Sequence, residues 1–100
     1  MPEVLLEFST PVSGPDGRTY TARAIGAEQL DGLWHGWIEF SEVMGTDLIA
    51  TDRETTQPNR TDAVYWATGL TPVYLEGALT RALDVSRLQH AAQHLQSHSS

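Results

Sequence analysis

Trp34-His35-Gly36-Trp37-Ile38-Glu39-Phe40 is the stretch on which the fold turns. Strict alternation of apolar and polar residues over a short run marks a half-buried β-strand. The period of two puts Trp34, Gly36, Ile38 and Phe40 on an inward face and His35, Trp37 and Glu39 on the other. A glycine among such large neighbours predicts a bulge, a bend or the close approach of another element at Gly36.

Working outward, Val4 to Phe8 reads as a strand with Val4, Leu6 and Phe8 on one face. Ser13-Gly14-Pro15-Asp16-Gly17 is a turn, and Tyr20 to Ile25 follows as the second arm of a hairpin, with Tyr20, Ala22 and Ala24 sharing a side. Gly26 to Gly32 reads as a connection with a short helical turn at Ala27–Leu30. A loop centred on Met44-Gly45-Thr46 leads to a shorter fourth strand from Asp47 to Arg53.

The hydrophobic period then changes. Asn59 or Thr61 is a cap for a helix from about Arg60 to Thr68, with Asp62 in its first turn and Gly69 at its exit. Thr71-Pro72 is a second start, a capping hydroxyl before a proline at the first helical position. Leu75, Leu79 and Leu83 then recur every four residues beside Ala78 and Ala82, a stripe suited to covering a sheet. Asp84 ends this helix, caps a continuation, or lies within a longer one. The expected fold is α+β: a small antiparallel four-stranded sheet with C-terminal helices packed on one face. Residues 1–88 form the expected single domain, and residues 89–100 an expected polar His/Gln/Ser-rich tail, frayed or disordered, whose last stretch from Gln96 to Ser100 has no reason to fold.

Composition narrows the function classes. The chain has 100 residues and no cysteine, which excludes disulfides, thiol catalysis and thiolate metal sites. All six basic residues are arginines, so lysine-based covalent chemistry is excluded too. The net charge of -7 repels phosphate backbones, and no nucleic-acid partner is expected. No apolar run approaches the roughly 20 residues of a membrane span, and no basic-then-apolar leader precedes the first strand. The reading is therefore cytoplasmic, with no membrane partner.

Polar chemistry concentrates in Arg53-Glu54-Thr55-Thr56-Gln57-Pro58-Asn59-Arg60. If the fourth strand ends near Arg53, this run crosses an end of the sheet as a loop and delivers Arg60 to a helix start, where free N–H groups attract anions. Arg53 and Arg60 suit a carboxylate or phosphate, Gln57 and Asn59 a planar polar group, and Tyr65 or Trp66 an apolar wall. The bland alternative has Asn59 capping the helix and Glu54 paired internally with Arg53 or Arg60.

A second candidate is the face away from the helices, where Trp37, His35 and Arg23 form an interface for a protein partner or a second copy. Trp37 packed over an arginine stem or beneath a loop is the structural alternative. Catalysis would rest on Glu54, His35 or Asp52, none with an evident proton-transfer partner, and no catalytic residue is assigned. His90, His94 and His98 repeat at helical spacing but lack support for a fixed metal site. No metal and no cofactor is expected.

The segments Trp34–Phe40, Arg53–Arg60, Tyr65-Trp66-Ala67-Thr68-Gly69-Leu70 and Tyr74-Leu75-Glu76-Gly77-Ala78-Leu79 together resemble a family of small uncharacterised bacterial proteins. The resemblance spans about residues 3–83 and implies a bacterial, single-domain protein, with no activity to transfer. The function expected is a non-catalytic accessory or protein-interaction module. The alternative is a small anionic-ligand binding domain built on the Arg53–Arg60 loop.

Overall fold

The computed structural model describes the backbone of residues 1–98 and side-chain surroundings for residues 1–88. Its elements are β1 (Glu3–Glu7), β2 (Val12–Ser13), β3 (Thr19–Glu28), β4 (Trp34–Glu42), β5 (Leu48–Ala50), β6 (Thr55–Gln57), α1 (Arg60–Thr68) and α2 (Pro72–His98). Every strand pairing is antiparallel. β3 and β4 are the two central strands. β1 and β2 together make one edge, and β5 and β6 the other. The result is a four-row antiparallel sheet with two helices on one face, the expected α+β architecture.

β4 alternates as its sequence predicts: Gly36, Ile38 and Phe40 are buried, and His35, Trp37 and Glu39 between them are partly exposed. Cross-strand register puts Ala22, Ala24 and Gly26 of β3 directly opposite Phe40, Ile38 and Gly36. These residues form the helix-facing side. Its main cluster joins Val12, Tyr20, Ala22, Ile38 and Phe40 to Leu75, Ala78, Leu79 and Leu83 of α2. Each large aliphatic side chain buried there contributes about 1.5–3 kcal/mol. Tyr20 reaches this core because its hydroxyl donates to Asp16 at 2.7 Å, while Asp16 also accepts from the Arg18 N–H at 3.1 Å. Burial, reinforced by the Asp16 carboxylate, pushes the Tyr20 hydroxyl up to about 12.

The opposed glycines Gly26 and Gly36 decide where α1 sits. A Cβ on Gly36 would lie 2.8 Å from both the Trp66 ring and the Thr55 methyl, and one on Gly26 would lie 2.7 Å from Leu5. Two neighbouring strands thus present bare backbone where α1 crosses, and Ala63 and Ala67 close the contact with no exposure at all. The sequence reading of Gly36 as a place of close approach is what the structure contains.

Four local expectations are corrected. Val4 does not share a face with Leu6 and Phe8: the β1–β3 register shifts at Leu5, so Val4 opposes Ile25 on the uncovered side. One extra residue in an edge strand reverses the facing of what precedes it. Second, β3 does not stop at Ile25 but pairs through Glu28, because Gly26 and Ala27 fit the ladder opposite Gly36 and His35. No helical turn forms there. The chain reverses at Gln29–Leu33, where Gly32 takes a φ of 85°.

Third, the fourth strand does not run from Asp47 to Arg53. After β5, the Thr51 N–H donates to the Ile38 carbonyl at 2.9 Å, and the Thr51 hydroxyl accepts the Ile38 N–H at 3.1 Å. A side chain replaces the backbone in the ladder, Asp52 and Arg53 bulge outward, and pairing resumes at Glu54, whose N–H donates to Gly36 at 2.8 Å. Fourth, the polar run is consequently not a loop over the sheet end. Its middle is β6.

Both edges are broken, at Ser9–Pro11 and at Thr51–Glu54, which blunts them against pairing with other strands. Helix starts match the sequence: Asn59 accepts from the Asp62 N–H at 2.8 Å, and Thr71 from the Tyr74 N–H at 3.2 Å. Asp84 lies inside α2, whose backbone continues helical to His98, where the sequence reading placed the tail. Among the described residues, no helix is long and apolar enough to cross a membrane.

The two kinds of glycine make opposite predictions. Gly36→Ala forces overlap with Trp66 and Thr55 and is expected to cost about 1–3 kcal/mol. Gly77, inside α2 with open space around its missing Cβ, is expected to gain about 0.5–1 kcal/mol as alanine. Denaturant melts of the two variants check both signs.

Candidate functional site

The polar run is divided among three structural duties. Arg53 sits exposed in the kink between β5 and β6, outside every ion pair among the described residues. Gln57 turns back on its own strand and donates to the Thr55 hydroxyl at 2.7 Å. Asn59 caps α1, and Arg60 forms a hydrogen-bonded ion pair with Glu3 at the start of β1. Arg60 therefore clamps the beginning of α1 to the far edge of the sheet.

Glu54 is the centre of the arrangement. Its side chain is only 6% exposed, and both oxygens are engaged by Arg81 of α2, at 2.8 and 3.0 Å. Tyr74 donates its hydroxyl to the same carboxylate, and the Arg81 guanidinium lies 5.8 Å from the Tyr74 ring centroid. Two parallel donors from one arginine are the strongest geometry this pair can adopt. The expected internal partners were Arg53 or Arg60. The actual ones come from α2, because the Thr51 bulge turns Glu54 toward that helix.

Burial works to raise the Glu54 pKa, but the hydrogen bonds from Arg81 and Tyr74 and the arginine charge outweigh it and hold the carboxyl below its ordinary value. Tyr74 is pushed up, first by burial and then by Glu54, and Arg81 is pushed up by its bond to Glu54. Glu54 is thus a fixed anion at neutral pH, not a proton carrier. Beside it, a cleft of ≈ 340 Å³ opens between the kink and α2, lined by Thr51, Asp52, Ala82 and Val85 among others. A smaller apolar cleft of ≈ 130 Å³ lies where the β1–β2 break meets the start of α2, with Phe8, Pro11, Leu70 and Leu75 in its walls.

The proposed aromatic wall divides as well. Trp66 lies over Gly36 as part of the α1 contact, whereas Tyr65 points outward and is 80% exposed. Neither cleft is lined by Arg53, Gln57, Asn59, Arg60, Tyr65 or Trp66.

On the uncovered face, Arg23 holds Glu39 through two nitrogens at 2.9 and 3.0 Å. Val4, Ile25 and Trp37 form one row across β1, β3 and β4. Ile25 is only 4% exposed although no helix of the described residues lies on its side, so its neighbours shield it, with Trp37 directly opposite. His35 faces Ala27 and Thr56 across the ladder, not a carboxylate. The side chains of His90, His94 and His98 lie outside the described residues.

Tyr74, Arg81 and Thr51 are the residues that sequence reasoning missed. Tyr74 and Arg81 stand two helical turns apart on one flank of α2, the only local sign that they act together. Comparison with protein-family models, with curated proteins and with solved structures returns no match.

Because the folded pKa of Glu54 is depressed, its contribution to stability is present above the ordinary carboxylate range. It is lost as pH falls through the lower, folded value. Glu54→Gln is expected to lower stability by about 1–3 kcal/mol at neutral pH, and to flatten the decline in stability below pH ~4.5. Chemical denaturation of both proteins from pH 3 to 7 checks the magnitude and the sign.

Proposed function

We propose that this protein is a non-catalytic interaction module that uses the uncovered face of its sheet to bind a protein partner. The observation that carries the reading is Trp37, partly exposed and in one row with the exposed Val4 across the buried Ile25, on a face that no helix of the described residues covers. Tryptophan beside an arginine–carboxylate pair is the composition from which binding hot spots are built. The broken edges favour the face over strand addition as the mode of binding.

The partner of this reading presents a basic surface. The chain carries a net charge of -7, and Arg18, Arg23, Arg60, Arg81 and Arg87 are each held by an acid of the same chain. The unmatched charge is acidic, and a cationic partner meets a complementary field. Of the groups considered for catalysis, Glu54 is engaged with Arg81. The bacterial origin and cytoplasmic setting expected from the sequence belong to the same proposal.

A photo-activatable cross-linking residue at position 37, compared with one at position 65, tests the reading in living cells. Both sites accept the label at the surface, one on the open sheet face and one on α1. Discrete protein adducts at 37 and none at 65 are expected. Adducts confined to 65, or equal at both, contradict the use of the sheet face.

A further inference from the structure

The smaller cleft owes its existence to a change of course in the edge strand. The Phe8 N–H still donates to the Ala22 carbonyl at 3.0 Å. Ser9-Thr10-Pro11 then leave the sheet, and pairing resumes at Val12. Pro11 has no N–H to give a ladder, which suits it to such a break. Between this detour and the start of α2, Phe8 and Leu70 stay half-buried beside the buried Val12 and Leu75. Every residue of the cleft lies before position 77, and Glu76 is about 20 Å along α2 from position 89.

The cleft volume of ≈ 130 Å³ is close to the ~150 Å³ of an apolar cavity that takes up one benzene molecule. It admits one ring or one branched alkyl group and is too small for a helix or a strand. Glu76 is the only charged residue in its wall. That carboxylate belongs to an exposed residue and joins no ion pair among the described residues. Ser9 and Thr10 add hydroxyl oxygens able to accept from a cation. The helix start does not make this an anion site: Pro72 has no N–H, and the Thr71 hydroxyl already accepts that of Tyr74 at 3.2 Å. The net charge of -7 disfavours anions as well.

We infer that this cleft binds a small primary amine whose body is a single ring or a branched alkyl group. The apolar part sits against Phe8, Val12, Leu70 and Leu75, and the ammonium group meets Glu76. Apolar walls with a few placed polar groups are the usual makeup of a small-ligand site. Because the Glu76 residue is exposed, its charge selects among ligands of one shape and supplies a minor share of the affinity. This inference does not rest on the open-face reading, since no residue of the Val4–Ile25–Trp37 row lines the cleft.

NMR chemical-shift titrations of the full chain at pH 7 with 2-phenylethylamine, 2-phenylethanol and phenylacetate test it, since the three share a ring and differ in charge. The amine is expected to bind with a Kd of about a millimolar, with shifts centred on Phe8, Val12, Leu70 and Leu75. The alcohol is expected to bind about threefold more weakly, and phenylacetate more weakly still. Glu76→Gln is expected to erase the preference for amine over alcohol, with the thermal melt and the alcohol's affinity unchanged. No saturable shift by ~20 mM amine, or shifts centred elsewhere, overturns the inference. Equal binding of amine and alcohol, or a preference that persists in E76Q, overturns it as well.

Discussion

The fold depends on a contact between bare backbone and a ring. Gly26 and Gly36 face each other on the two central strands, and their missing side chains leave a shallow seat on the helix-facing side. Trp66 fills it from above at Gly36, and Leu5 fills it from the edge at Gly26. Close packing of this kind tolerates no added methyl without displacement. Because α1 is short, its position is set by this one contact together with Ala63, Ala67 and the Arg60–Glu3 pair. Once α1 is placed, Gly69 and Thr71-Pro72 direct α2 toward the other end of the sheet, where Tyr20, Ile38 and Phe40 receive its leucines.

The second organising element is the bulge at Thr51. By lending its hydroxyl to the ladder, Thr51 frees Asp52 and Arg53 from pairing and rotates Glu54 under α2. A carboxylate so nearly excluded from water demands compensation, and Arg81 and Tyr74 supply it. The same bulge interrupts the sheet edge, so one local irregularity both ties the long helix to the sheet and protects the edge. The polar run read as a loop because its composition was read without its register. In place, it is a strand, a cap and two clamps.

What the sequence made legible was what neighbouring residues decide among themselves. The alternation from Trp34 to Phe40, the cap at Asn59, the Thr71-Pro72 start and the leucine stripe of α2 are all short-range patterns, and each appears where expected. The errors came where a single residue changes register. Leu5 inserts into β1 and sends Val4 to the far face, while Thr51 splits the last strand in two. No periodicity announces such insertions. The Glu54–Arg81 pair spans 27 positions and depends on the angle between a bulged strand and a helix, which no local pattern encodes.

A double-mutant cycle between Gly36 and Trp66 tests the seating of α1 most directly. Unfolding free energies of Gly36→Ala, Trp66→Ala and the double variant give the coupling between the two positions. If the ring over bare backbone governs the packing, the cost of the added methyl falls by more than half once Trp66 is gone. If the two costs simply add, the glycine serves the strand and not the helix, and α1 is held by something else.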